Sequence, residues 1–81
     1  MGYHKTHIEK GVIGEFSKIR EEFDELRDAE SQECKILIMC ELSDLIGAIE
    51  EYSRNYYGLT LNDLKDFSDK TKSAFKEGKR K

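Results

Sequence analysis

Two short acidic runs hold the residues best placed for chemistry: Glu21-Glu22-Phe23-Asp24-Glu25 and Glu41-Leu42-Ser43-Asp44. Glu22 and Glu25 are three residues apart, and so are Glu41 and Asp44. On a helix that spacing puts both side chains on nearly one face. Each pair then offers oxygen ligands in one direction. Two facing pairs would cage a hard cation such as Mg²⁺. The setting of Glu41 sharpens this reading. At about 100° per residue it falls inside an apolar stripe of Cys34, Leu37, Ile38, Leu45, Ala48 and Tyr52. A carboxylate there faces the interior, where an unpaired charge demands a cation or partner. Glu22 lies beside Ile19 and Leu26, at the margin of its own helix's apolar face. An acid in an apolar stripe breaks the local pattern, and such breaks mark function.

Helices must position these pairs. Apolar residues at Ile13, Phe16, Ile19, Phe23 and Leu26 step by three and four, which predicts an amphipathic helix from Val12 to Ala29. A polar turn follows, with Ser31 as the expected N-cap of a second helix from Gln32 to Tyr56. The front of that helix, Ile36 to Met39, is apolar on nearly every side and is expected to be buried among neighbours. Gly47 and Ala48 would let another helix approach closely, and Gly58 supplies a glycine stop. Thr60 and Asp63 form a loose capping box for a third helix. Its inner face would be Leu61, Leu64, Phe67, Thr71, Ala74 and Phe75. Lysines and Arg80 crowd its C-terminal half. Residues 1–11 lack a period and read as a flexible arm. The expected fold is all-α, a single helical domain over residues 12–81. It is an antiparallel hairpin plus a third helix, and oligomerisation would complete a four-helix-bundle core.

Composition narrows the classes. The chain has 81 residues, enough for one small domain with a limited core. Charged residues make up 38% and the net charge is −3. That argues against a dedicated nucleic-acid binder. No apolar run reaches membrane-spanning length, and no signal peptide is visible, so neither a membrane partner nor export is expected. Cys34 and Cys40, six apart on one helix, point in different directions and cannot easily bridge. They read as reduced thiols in or near the core of a cytoplasmic protein.

Four carboxylates around a divalent ion suit reactions at a polyphosphate, with the metal lowering the charge barrier to attack on phosphorus. Glu21 and Glu22 are then the candidate bases for the attacking water. The order Glu-Glu-x-x-Glu, a gap, then Glu-x-x-Asp resembles the signature of the MazG-like all-α nucleoside triphosphate pyrophosphohydrolases. The resemblance spans about residues 12–80 and is strongest between Gly14 and Glu51. It implies cleavage between the α and β phosphates, giving a nucleoside monophosphate and pyrophosphate. It also implies a homodimer or homotetramer, with Mg²⁺ (Mn²⁺ as the alternative) in a four-helix bundle. Under it, Glu22, Glu25, Glu41 and Asp44 correspond to the metal ligands, and Lys76 and Arg80, four apart, to phosphate contacts. Lacking tryptophan and shorter than larger members, the chain gives no base-recognition pocket to carry over.

Plainer readings stand beside these. The first run could be a solvated acidic face paired with Lys18 or Arg20, and the second a buried ion pair. The basic C-terminus complements a helix dipole. His4 and His7, with Tyr3 and Lys5, could close over a base or sugar, or belong to an exposed terminus. They are too isolated in sequence to read as a transition-metal site. Tyr52, Tyr56 and Tyr57 suit a subunit contact, although Tyr52 shares the face of Glu41 and is a candidate substrate contact. The rival class is a non-enzymatic interaction module with an acidic binding face. A di-iron bundle would need Glu-x-x-His pairs, which neither histidine supplies.

Overall fold

The structure, a computed structural model, describes residues 4–76. It is all-helical: α1 (Phe16–Ser31), α2 (Lys35–Tyr57) and α3 (Leu61–Lys76), with no strand among the described residues. Tyr3, Lys79, Arg80 and Lys81 lie outside the described residues, as does the side chain of Phe75.

α1 starts four residues later than its periodicity predicts, because a turn occupies Val12 to Glu15. Glu15 N–H donates to the Val12 carbonyl at 3.0 Å, and Gly14 sits at φ 89°. That backbone suits glycine and cannot continue into a right-handed helix. The Asn55 side chain donates to the Gly14 carbonyl at 3.0 Å. The bond ties the start of α1 to the end of α2, and the two helices run antiparallel. At the other end, Ser31 is not an N-cap. It is the last residue of α1, and its hydroxyl donates to the Asp28 carbonyl at 2.6 Å. The chain turns through Glu33, a non-glycine residue at φ 55°. Cys34 then occupies the α2 N-cap without a side-chain hydrogen bond.

The other two helix ends follow the sequence. Gly58 takes the left-handed conformation at φ 66°, and its N–H donates to the Arg54 carbonyl at 3.2 Å. Thr60 and Asp63 cap each other: Thr60 N–H donates to Asp63 Oδ2 at 2.9 Å and Asp63 N–H to Thr60 Oγ1 at 3.1 Å.

Packing departs from the expectation in a consistent way. The fully buried apolar residues are Ala29 and Ala48 alone among those described; Glu21, Glu22, Asp28, Glu41 and Ser53 are buried with them. The α1–α2 interior is therefore lined largely by acids. The front of α2 is not buried among neighbours: Ile36 is 76% and Met39 64% exposed. One partner helix covers only one face, and α3 meets α2 further along, where Leu61 and Leu64 share a groove with Ile46 and Ile49. Phe67 is exposed. No helix crosses at Gly47, where an added Cβ would meet nothing within 4 Å. Cys34 and Cys40 are free thiols as expected, but both are exposed rather than near-core.

The segment before α1 forms neither helix nor strand, yet it is fastened to the hairpin. Lys5 N–H and the Thr6 hydroxyl donate to Asp28, and Gly11 N–H donates to Glu21 Oε1 at 2.8 Å. Gly11 lies so close to α1 that a Cβ there would overlap the Ser17 carbonyl. Only glycine lets the chain approach this far.

Candidate metal centre

Glu22 and Glu25 project from α1, Glu41 and Asp44 from α2, and the hairpin brings the two pairs face to face. One oxygen from each of the four carboxylates lies within 4.8 Å of the others. Glu22 and Glu41 are each only 5% exposed. Both Glu22 Oε1 and Glu41 Oε1 are buried without a hydrogen-bond partner. A buried carboxylate oxygen with no donor costs several kcal/mol in such a setting, on the order of the penalty for any uncompensated charge. The all-oxygen donor set suits a hard divalent cation, and the two orphaned oxygens are where such an ion would bond. Glu22 is as deeply buried as Glu41, not at the margin of the apolar face. Asp44 faces it from α2, and Lys18 lies over it, its Nζ 3.0 Å from Glu22 Oε2.

The electrostatics divide the acids. Burial, then the charges of Glu25 and Asp44, push the Glu22 carboxyl above its ordinary range, against the pull of Lys18. Burial also pushes Glu25 up, helped by its close contact with Glu41. Glu21 goes the other way. Burial opposes its ionisation, but the Gly11 N–H and Lys18 hold its carboxyl below the ordinary value. Lys18 Nζ donates to Glu21 Oε1 at 3.1 Å, and Lys10 Nζ lies 3.8 Å from Oε2. Glu21 is the most buried of the acids at 3% exposed, yet it stands outside the four-carboxylate group. The two candidate bases thus differ: Glu21 is committed as an acceptor, whereas Glu22 keeps an unpartnered oxygen.

Other predicted residues are not gathered here. Tyr52 packs with Phe16 (5.9 Å between ring centroids), Tyr56 (5.1 Å) and Tyr57 (5.8 Å). That aromatic cluster sits three turns along α2 from Glu41, about 16 Å away. Lys76 ends α3, roughly 22 Å along the axis from Leu61. It makes no ion pair with the carboxylates among the described residues, and Arg80 lies outside them.

Two residues next to the acids are placed otherwise than the sequence suggests: Asp28 was not singled out, and His4 is neither an exposed terminus nor far from the carboxylates. His4 comes in from the arm, its side chain 13% exposed, with Nε2 3.1 Å from Glu41 Oε2 and 3.8 Å from Glu25 Oε1. Behind it, buried Asp28 accepts from His4 Nδ1 at 2.9 Å. Asp28 also accepts from the Gln32 side chain at 2.9 Å. Burial works against ionising Asp28, but these bonds and those from Lys5 and Thr6 hold its carboxyl down at about 2. The signal for Asp28 was present: Glu21, Glu25 and Asp28 step by four and three along one face of α1. Nothing in the sequence pairs His4 with Asp28 and Glu41, because a segment without periodicity brings it in. Lys10 and His4 line a groove of about 690 Å³ together with Glu25, Glu41 and Asp44 on its acidic side. Cys34, Ile36, Leu37 and Cys40 give the groove its apolar lining.

No protein-family model, curated protein or solved structure matches this chain. Among the described residues no helix is long and apolar enough to cross a membrane.

Proposed function

We propose that the protein is a Mg²⁺-dependent nucleotide pyrophosphohydrolase that cleaves a nucleoside or deoxynucleoside triphosphate between the α and β phosphates. One observation carries this reading: four carboxylates from two facing helices converge within 4.8 Å, and two of their oxygens are buried with no partner. Glu22, Glu25, Glu41 and Asp44 would hold Mg²⁺, or Mn²⁺ in its place. The ion would supply Lewis-acid polarisation of a phosphoryl oxygen. The chain's own groups do the rest. Glu21 already accepts from Gly11 and Lys18 and stands outside the carboxylate group, so Glu22 is the better placed of the two candidate bases to take a proton from water. The adjoining groove has the volume of a small-ligand site, and its Ile36–Leu37 wall suits a base or sugar. Lys10, 82% exposed at the rim, would meet phosphate oxygens. Lys76 of α3, and Arg80 beyond it in the sequence, would join them from a second copy. In this proposal the exposed apolar face of α2 packs against another chain to complete a four-helix bundle in a homo-oligomer.

The reading is tested with a panel of nucleoside triphosphates and Mg²⁺, scored for monophosphate and pyrophosphate. Orthophosphate release, or no turnover with any of them, would overturn it. One observation favours a non-enzymatic acidic interaction module instead: Lys18 and His4 already neutralise part of the acidic interior. Under that rival, Glu41→Gln leaves partner binding and fold intact, and Mg²⁺ does not change thermal stability.

A further inference from the structure

We propose that His4, Glu25 and Glu41 form a second, mixed nitrogen–oxygen cation site beside the four-carboxylate cluster, suited to a first-row transition-metal dication such as Mn²⁺ or Zn²⁺. Asp28 anchors the histidine from behind. Four donors converge on this buried carboxylate: His4 Nδ1, Lys5 N–H, the Thr6 hydroxyl and the Gln32 amide. An ionised carboxylate can only accept, so the proton on His4 Nδ1 is fixed in place. Nε2 is then the ring's free position, and it points at acids. It lies 3.1 Å from Glu41 Oε2 and 3.8 Å from Glu25 Oε1. Two lone-pair acceptors do not rest at 3.1 Å unless something positive lies between them.

That positive group is either a second ring proton or a metal ion. Three features favour the ion. The ligand atoms of His4, Glu25 and Glu41 all lie within 4.8 Å of one another, so they converge on a point rather than forming one bond. Glu41 Oε1 is buried and unpartnered, and a single proton on Nε2 bonded to Oε2 leaves it so. Ligands about 2.1 Å from a six-coordinate ion are separated by roughly 3 Å along an edge, close to the 3.1 Å between His4 Nε2 and Glu41 Oε2; Glu25 Oε1, at 3.8 Å, would have to draw in. The Asp28–His4 pair also has the form of the carboxylate that orients a metal-binding histidine from behind. An imidazole ligand shifts preference away from Mg²⁺, which favours oxygen, toward Mn²⁺, Fe²⁺, Co²⁺ or Zn²⁺. The site shares Glu25 and Glu41 with the proposed catalytic cluster but does not depend on turnover.

The experiment is pulsed EPR on the full chain with one equivalent of Mn²⁺, read for a directly bound ¹⁴N. It is paired with calorimetric titrations of Mn²⁺ and Mg²⁺ against wild type, His4→Gln, His7→Gln and Asp44→Asn. The expected result is a nitrogen coupling in wild type, His7→Gln and Asp44→Asn that is absent in His4→Gln. His4→Gln should lose tenfold or more in Mn²⁺ affinity and keep Mg²⁺ affinity within about twofold. Asp28→Asn should cost about tenfold to hundredfold in Mn²⁺ affinity. No nitrogen coupling in the wild-type protein overturns the site. So does a His4→Gln chain that binds both ions as well as, or better than, wild type, which would make His4 a protonated plug. If Asp44→Asn abolishes Mg²⁺ binding or hydrolysis while the coupling persists, the two sites are separate. If no nucleotide is cleaved and the coupling persists, the pyrophosphohydrolase reading alone has failed.

Discussion

The two sides of α2 are inverted relative to an ordinary small domain. The side against α1 carries Glu41 and Asp44 and meets Glu22, Glu25 and the arm, with Ala48 as its fully buried apolar residue. The outer side carries Ile36, Met39, Leu42 and Ile46, all between 45% and 76% exposed. Glu22 and Glu41 are inside, Asp44 is exposed at the edge of the group, and much of the hydrocarbon is outside. Each arrangement is unfavourable alone, and each calls for a different remedy. Buried acids are relieved by cations. An exposed apolar stripe of this extent is relieved by another protein surface. A domain of this size has little apolar area to spare for solvent. Under the proposed function the difference separates two requirements: ions would hold the inner side together, and a second copy would cover the outer one.

The outer side should give the largest effect. In a homo-oligomer, Met39→Asp places an unpaired charge in the contact, at a cost of about 4 kcal/mol, or roughly a thousandfold in the dissociation constant. Sedimentation should show the mass falling to that of a single chain, with reduced helicity. A wild-type protein that is already monomeric at high concentration would remove the contrast between the sides altogether.

On the inner side, Glu41→Gln should cut pyrophosphate release at least a hundredfold, which is about 2.7 kcal/mol of activation free energy. Without metal its stability should be unchanged or higher by about 1 kcal/mol, because a repelling buried charge is gone. In wild type, Mg²⁺ at a hundred times its dissociation constant should add about 2.7 kcal/mol of stability, and the variant should lose most of that gain. A thermal melt with and without Mg²⁺ checks the sign. Destabilisation of the metal-free variant would mean that Glu41 is held by an internal partner and not by an ion.

The arm supplies part of the inner side, and Gly11 is the position that lets it dock. Gly11→Ala forces a Cβ onto the Ser17 carbonyl and removes the Gly11 N–H from Glu21. The expected loss is about 2 kcal/mol, the cost of overpacking at a site that cannot relax. Hydrogen exchange over residues 4–15 should rise while the outer contact and the sedimenting mass stay unchanged.

How much of this was legible depends on how local each feature is. Helix existence, the Gly58 stop and the Thr60–Asp63 box follow from residues a few positions apart, and they read directly. The facing of Glu22 and Glu25 toward Glu41 and Asp44 follows from i, i+3 spacing plus a hairpin. Ser31 misled because an N-cap residue and a hydroxyl bonded back to the preceding turn have the same identity. Ile36 to Met39 misled because a helix apolar all round signals covering neighbours without saying whether they belong to the same chain. His4 was out of reach for another reason. Its partners Asp28 and Glu41 are 24 and 37 residues away, and an aperiodic segment leaves no pattern by which to pair them.

The smallest effect isolates the scaffold from both sides. Glu33 is exposed and holds φ 55° in the turn between α1 and α2. A side chain in the left-handed region costs about 1–2 kcal/mol, and glycine removes that strain while adding freedom to the unfolded chain. Glu33→Gly should therefore stabilise by about 0.5–1 kcal/mol net. It touches neither the four carboxylates nor the outer stripe, so metal affinity and sedimenting mass should not move. If it instead weakens Mn²⁺ or Mg²⁺ binding, the turn's strain is setting the distance between the two acid pairs. The inner side would then depend on the hairpin's geometry as much as on its charges.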